Sequence, residues 1–387
     1  MKIAFVLIPE KGHVNPYIGP AQALADLGHE VVVAAPGDIG EQMARAGLEF
    51  RGDLIPPAAG DRVTRGHELV ELIQDAGRLD GWIEQLLLEG LDQQIPLIRD
   101  WLERERAAVV VIDPLYYAAA IAAQQCGLPW ASVSNSLNPV LPADLDSALL
   151  RTVRRLAARR AELFCGYGFA PAFNGCDVLS PYLTIAFATE ALVGAPPAGV
   201  ILAGPSFPLR DRGDEVALRP LPEDRPVVYA SFGSQIYHWP ELFEKLLEAG
   251  RRVDAHLVFS MGDLADDVRW AGATAYHYAP QLAILRRASV FVTHGGANSV
   301  MEAAACGVPM LLSPMCNDQF HQACFVERAG IGCVENLVHA TVDRIAGRLR
   351  YLLSDAGVRT ATARIAESYR TDGARNSAAL IARLRAP

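Results

Sequence analysis

His294 to Gln319 reads H-G-G-A-N-S-V-M-E-A-A-A-C-G-V-P-M-L-L-S-P-M-C-N-D-Q. The four residues before it, Val290, Phe291, Val292 and Thr293, suit a short buried strand. Asn298 to Ala305, with small polar residues in its first turn, suits a helix. Such a strand-to-helix turn is a natural anion site, because a helix start presents unpaired N–H groups and about half a positive charge. A diphosphate fits against Gly295, Gly296, Asn298 and Ser299, with His294 reaching the same oxygens. Glu302, one turn further on, is placed to accept hydrogen bonds from ribose hydroxyls.

The alternation of strand and helix recurs on both sides of this segment. Lys2 to Ile8 reads as a strand, Asn15 to Leu27 as a helix closed by Gly28, and Glu30 to Ala35 as a second strand, a unit that implies parallel sheet. Val109 to Ile112, Leu115 to Cys126 and Trp130 to Val133 repeat the pattern. A helical region, 66–106, and an irregular stretch, 135–192, depart from a minimal α/β core; they are placed where acceptor recognition would lie, above the sheet edge. Prolines at 205, 208, 220, 222 and 226 mark a linker. A second α/β repeat then runs through strands at Val227 to Phe232, His256 to Ser260, Val290 to Thr293 and Met310 to Leu312.

The 387 residues suffice for two domains of ordinary size, each with its own core. With 35 basic and 44 acidic side chains the formal net charge is -9, which disfavours binding along a nucleic-acid backbone and leaves a small ligand. No run of about 18 uncharged apolar residues is present, and Met1 leads almost directly into a strand, so neither a membrane span nor a secretory leader is expected. The 7 cysteines form no C-x-x-C pair, which suits a reducing cytoplasm.

Three more motifs stand in register with the first. They are Gly12-His13-Val14-Asn15-Pro16, Ser231-Phe232-Gly233-Ser234 and Tyr278-Ala279-Pro280-Gln281. In order and spacing all four resemble the G-H-x-x-P, S-x-G-S, W-x-P-Q and C-terminal signature segments of the UDP-dependent glycosyltransferase superfamily, in particular its bacterial natural-product and macrolide enzymes. The resemblance implies the α/β GT-B fold, two Rossmann-like domains facing across a cleft. An acceptor domain is expected over 1–207, a linker over 208–225, a nucleotide-sugar domain over 226–370, and a last helix over 371–387 packing back on the first domain.

His13 follows the first strand in a turn at the carboxyl edge of the sheet, where open α/β folds bind ligands, and a neutral imidazole there can take a proton from an acceptor hydroxyl. Asp113, at the end of the Val109 to Ile112 strand, is the carboxylate chosen to orient the ring, and the family's His-Asp dyad falls on these two positions; a helix cap is the plain structural reading of Asp113. The resemblance places the donor against Ser234, Tyr278, Ala279, Gln281, His294, Gly296, Asn298, Ser299 and Glu302, with Asp318 and Gln319 gripping the sugar hydroxyls. Capping by Asn317 or Asp318 is the structural alternative. Tyr278 replaces the family's tryptophan on the nucleobase and retains a stacking face. His321 reads as an ordinary helix residue.

The implied activity is inverting, metal-independent transfer of a hexose to a hydroxyl of a small apolar natural product. UDP-glucose is the expected donor, with a dTDP-sugar as the alternative, and no cofactor beyond this co-substrate. Asp144-Leu145-Asp146 has the form of a manganese-binding D-x-D but lies far in sequence from the diphosphate segment, so no metal is assigned. Arg151, Arg155 and Arg159 fall on one face of a helix over 150–163, which reads as a solvated surface. Two other readings are a GT-B sugar-nucleotide epimerase and a non-catalytic nucleotide-sugar-binding accessory subunit.

Overall fold

The computed structural model describes residues 1–53, 66–213, 216–267 and 270–385. Residues 214 and 215 of the expected linker lie outside these. Two parallel sheets organise the chain. The first has seven strands in the order Glu49–Asp53, Glu30–Ala35, Lys2–Val6, Val109–Ile112, Trp130–Ser134, Leu183–Ala186 and Val200–Leu202. The second has six, in the order Thr274–Tyr276, His256–Ser260, Val227–Ser231, Val290–Thr293, Met310–Leu312 and Gly332–Val334. The central strands are continuous apolar runs because helices cover both faces. Ile3, Ala4, Phe5 and Val6 are fully buried, as are Val290, Phe291 and Val292.

Three sequence expectations need correction. The first helix spans Lys11–Asp26 and not 15–27, so Gly12 and His13 lie in its first turn. Its prolines do not break it; each removes one N–H, leaving the carbonyl four residues earlier without its helical donor. Pro16 thus frees the Gly12 carbonyl and Pro20 frees that of Pro16, which accepts a 2.6 Å bond from Ser206 Oγ. The stretch 135–192 is less irregular than expected: the helix read over 150–163 spans Ala148–Gly166, and the core strand Leu183–Ala186 follows it. The edge strands Glu49–Asp53, Thr274–Tyr276 and Gly332–Val334 were absent from the sequence reading, being short and polar or glycine-bearing.

The segment after Leu202 crosses the first helix at Gly19, where an added Cβ would meet the Phe207 carbonyl oxygen at 2.1 Å. Gln22, fully buried in that helix, holds the passing chain by donating to the Asp211 carbonyl and accepting from the Leu209 N–H. The final helix, Gly373–Ile381, returns to the same place: Gly373 N–H donates to the Pro205 carbonyl at 3.0 Å and Asn376 Nδ2 to that of Ala203 at 3.0 Å. No helix among the described residues is long and apolar enough to cross a membrane.

Candidate active site

His13 and Asp113 are brought together by the pairing of Lys2–Val6 with Val109–Ile112, which aligns the two strand ends. His13 Nδ1 lies 2.7 Å from Asp113 Oδ2, with the carboxylate fully buried and the imidazole a quarter exposed. Asp113 Oδ1 also accepts from the Leu115 N–H at 3.0 Å, so the capping role coexists with the histidine contact. Burial alone would lower the His13 pKa, but Asp113, by charge and hydrogen bond, and then Glu10 and Asp318 by charge, raise it above 6.5.

Across the cleft, the helix Ala297–Cys306 follows the strand Val290–Thr293, with Gly296 at its N-cap and no side-chain cap. Its first-turn amides therefore face the cleft without a side-chain partner at that end. His294 sits between two glycines: an added Cβ would lie 2.9 Å from the ring at Gly233 and 2.7 Å at Gly296, so both positions must be side-chain-free for the ring to fit. Burial lowers the His294 pKa to about 4, and the ring is neutral at neutral pH. Asn298 Nδ2 reaches over the cleft and donates 2.7 Å to the Gly12 carbonyl, the one that Pro16 leaves free.

The remaining donor residues divide by what they touch. Glu302 is buried, and its carboxylate accepts from Gln281 Nε2 at 2.8 Å and from Arg212 Nη1 at 3.0 Å. Gln281 also lies 3.4 Å from Ser299 Oγ and accepts from Tyr229 at 3.1 Å. Ala279 is buried, its N–H donating to Ser260 Oγ, and Ser234 is exposed in the turn after Val227–Ser231. The Tyr278 ring carries the Lys11 ammonium 3.5 Å from its centroid. Gln319 turns its carbonyl oxygen onto the Met315 and Cys316 N–H groups at 2.8 and 3.1 Å, so this end of the side chain supports its own loop. Asp318, at the N-cap position, makes no capping bond and accepts from Gln322 at 2.6 Å. Beside it Asn317 holds a left-handed backbone (φ 53), and its buried Oδ1 has no hydrogen-bond partner among the described residues.

Four contributions escaped the sequence reading. Asn135 stands just past the strand Trp130–Ser134, and its amide lies 2.6 Å from His13 Nδ1. A polar residue following a strand at the carboxyl edge was a signal that could have found it. Arg212 and Lys11 carried none, because their partners are distant in sequence. His321 is no ordinary helix residue: it is fully buried, with Nε2 at 2.8 Å from Ser147 Oγ and Nδ1 at 3.0 Å from Asn138 Oδ1, tying Gln319–Ala329 to the first domain. Asp144 pairs with Arg328, and Asp146 with Arg151 and Arg154. Among the described residues no cluster of three His, Cys, Asp or Glu side chains is arranged to hold a metal.

Comparison with known proteins adds family-level likeness. Residues 219–367 match the family described as UDP-glucoronosyl and UDP-glucosyl transferase. The chain is 25% identical to the demethyllactenocin mycarosyltransferase of Streptomyces fradiae, over 96% of this chain and 83% of that protein. It is 26% identical to the oleandomycin glycosyltransferase of Streptomyces antibioticus, over 98% and 90%. Its fold is that of the glycotransferase of kitacinnamycin (TM-score 0.76, 24% identity, covering 99% and 98%) and of glycosyltransferase VinC in complex with DTDP (TM-score 0.69, 20% identity, 99% of each chain).

Proposed function

Because the chain belongs to the UDP-dependent glycosyltransferase superfamily and has its GT-B fold, we propose that it transfers a hexose from a nucleoside diphosphate to a hydroxyl of a small apolar natural product, with inversion and without a metal. The observation that carries this reading is the His13–Asp113 pair facing a helix start, with Asn298 of that helix bonded to Gly12 next to the histidine. Base and anion site then lie on opposite sides of one sugar. His13 Nε2 takes the acceptor proton while the hydroxyl oxygen forms its bond to the anomeric carbon. The bond from that carbon to the diphosphate breaks from the other face, and the charge it releases falls on the amides of Ala297–Cys306 and on neutral His294. Asp113 holds Nδ1–H and stabilises the imidazolium that forms.

The uridine part of the expectation rests on Glu302 and Gln281 as partners for a ribose with both hydroxyls. That carboxylate already engages Arg212 and Gln281, and solved relatives include one in complex with DTDP, so we infer a donor site open to both UDP- and dTDP-hexoses. Mass spectrometry of UDP- and dTDP-sugars against a panel of hydroxylated apolar acceptors tests the reading. His13→Ala is expected to lower turnover by about 10²- to 10⁴-fold with UDP affinity nearly unchanged. In the wild type, kcat/KM is expected to rise with pH through a midpoint above 6.5, since below it His13 is protonated and cannot accept. Near wild-type turnover by the alanine variant at saturating acceptor rejects the base assignment.

A further inference from the structure

His13 Nδ1 has two neighbours, Asp113 Oδ2 at 2.7 Å and the Nδ2 end of the Asn135 amide at 2.6 Å. One hydrogen on that nitrogen cannot satisfy both. When Nδ1 carries the hydrogen it donates to Asp113, and a second N–H pointed at it is repelled. When Nδ1 is bare it can accept from Asn135, but it then faces the Asp113 carboxylate with no hydrogen between them, and the hydrogen is on Nε2, the nitrogen that must be bare to act as base. A half-turn of the amide exchanges Oδ1 for Nδ2 with almost no change of shape. The remaining contacts of Nδ2, 3.4 Å to Asp113 and 3.5 Å to the Gly12 carbonyl, are at the outer limit of a hydrogen bond.

We propose that Asn135 is a positioning residue that holds His13 in the Nδ1–H tautomer, its Oδ1 accepting from Nδ1–H beside Asp113 so that Nε2 stays bare to act as base. This rests on the reading of His13 as base. Asn135 is placed for the role by the end of Trp130–Ser134, two strands from the His13 strand, and it also borders a cleft cavity with Asn298 and Ala297. The charged groups facing the imidazole are Asp113 on the neighbouring strand, Glu10 at the helix start and Asp318 across the cleft, while the Lys11 ammonium is over the Tyr278 ring.

The sign of a pH shift separates this role from packing. An amide oxygen on Nδ1–H favours the imidazolium over the neutral ring, so removing it lowers the pKa, and replacing it by a carboxylate raises it. Kinetics of wild type, Asn135→Ala, Asn135→Asp and His13→Ala across pH, with calorimetry of UDP binding on each, test the proposal. Asn135→Ala is expected to lose about tenfold in turnover and to move the acid limb of kcat/KM down by roughly half a pH unit or more, with UDP affinity within about twofold. Asn135→Asp should move the same limb up. A limb that stays in place or rises in the alanine variant, or that falls in the aspartate variant, overturns it; if the alanine variant does not fold, the aspartate variant alone decides. His13→Ala retaining turnover would instead locate the failure in the base reading.

Discussion

At the scale of single residues, the site rests on carboxylates buried against a basic partner each, Asp113 against His13 and Glu302 against Arg212. Asp113 could be paired with His13 because both follow strands that a βαβ unit sets side by side, and the register aligns them. Glu302 could be assigned a ligand role, but nothing in the primary structure announced that Arg212, 90 positions away in a proline-rich connection, would reach it. Each side chain of that pair is only 6% exposed, so removing one partner leaves a charge with little water. Arg212→Met is therefore expected to lower unfolding stability by about 3 to 5 kcal/mol in urea titrations, and Glu302→Gln added to it to recover most of that loss. A variant stable to within about 0.5 kcal/mol would show the pair to be solvated in solution.

The elements were legible where they are long or wholly apolar. Val109–Ile112, His256–Ser260 and Val290–Thr293 were delimited from sequence alone, because they are short, largely apolar runs of strand length set between helical segments. The first helix was misjudged at its start because Pro16 looks like a first-turn proline; the helix keeps Pro16 and Pro20 by giving the two orphaned carbonyls to Asn298 and Ser206. Pro16→Ala restores a competing N–H beneath Gly12 and straightens the turn that offers its carbonyl. Catalytic efficiency is expected to fall roughly three- to tenfold, the worth of one hydrogen bond. Thermal stability should hold or rise, as proline in a helix interior costs about 3 kcal/mol. A melting temperature that drops along with activity would mean the ring is needed for packing instead.

At the scale of the whole molecule, two parallel sheets followed from repeated βαβ patterning, whereas their full strand order and the contacts between domains did not; these contacts join Gly12 to Asn298, Glu10 to Gln235 and Ser147 to His321 across more than a hundred residues each. The D-x-D tripeptide shows the same limit: its aspartates look free in sequence and are ion-paired to Arg328, Arg151 and Arg154 in the fold. Transfer is accordingly expected to survive excess EDTA in an end-point assay; activity abolished by EDTA and restored by manganese would return the metal to the mechanism. The return of Gly373–Ile381 to the first helix has a further consequence, for biogenesis. Domains usually form in the order in which they leave the ribosome, but here the first sheet waits for one of its covering helices until a segment beyond the whole second sheet has emerged. The sheet that forms first gains its cover last, and while the second sheet is made Gly19 is shielded by the Phe207 segment alone, without Ala374.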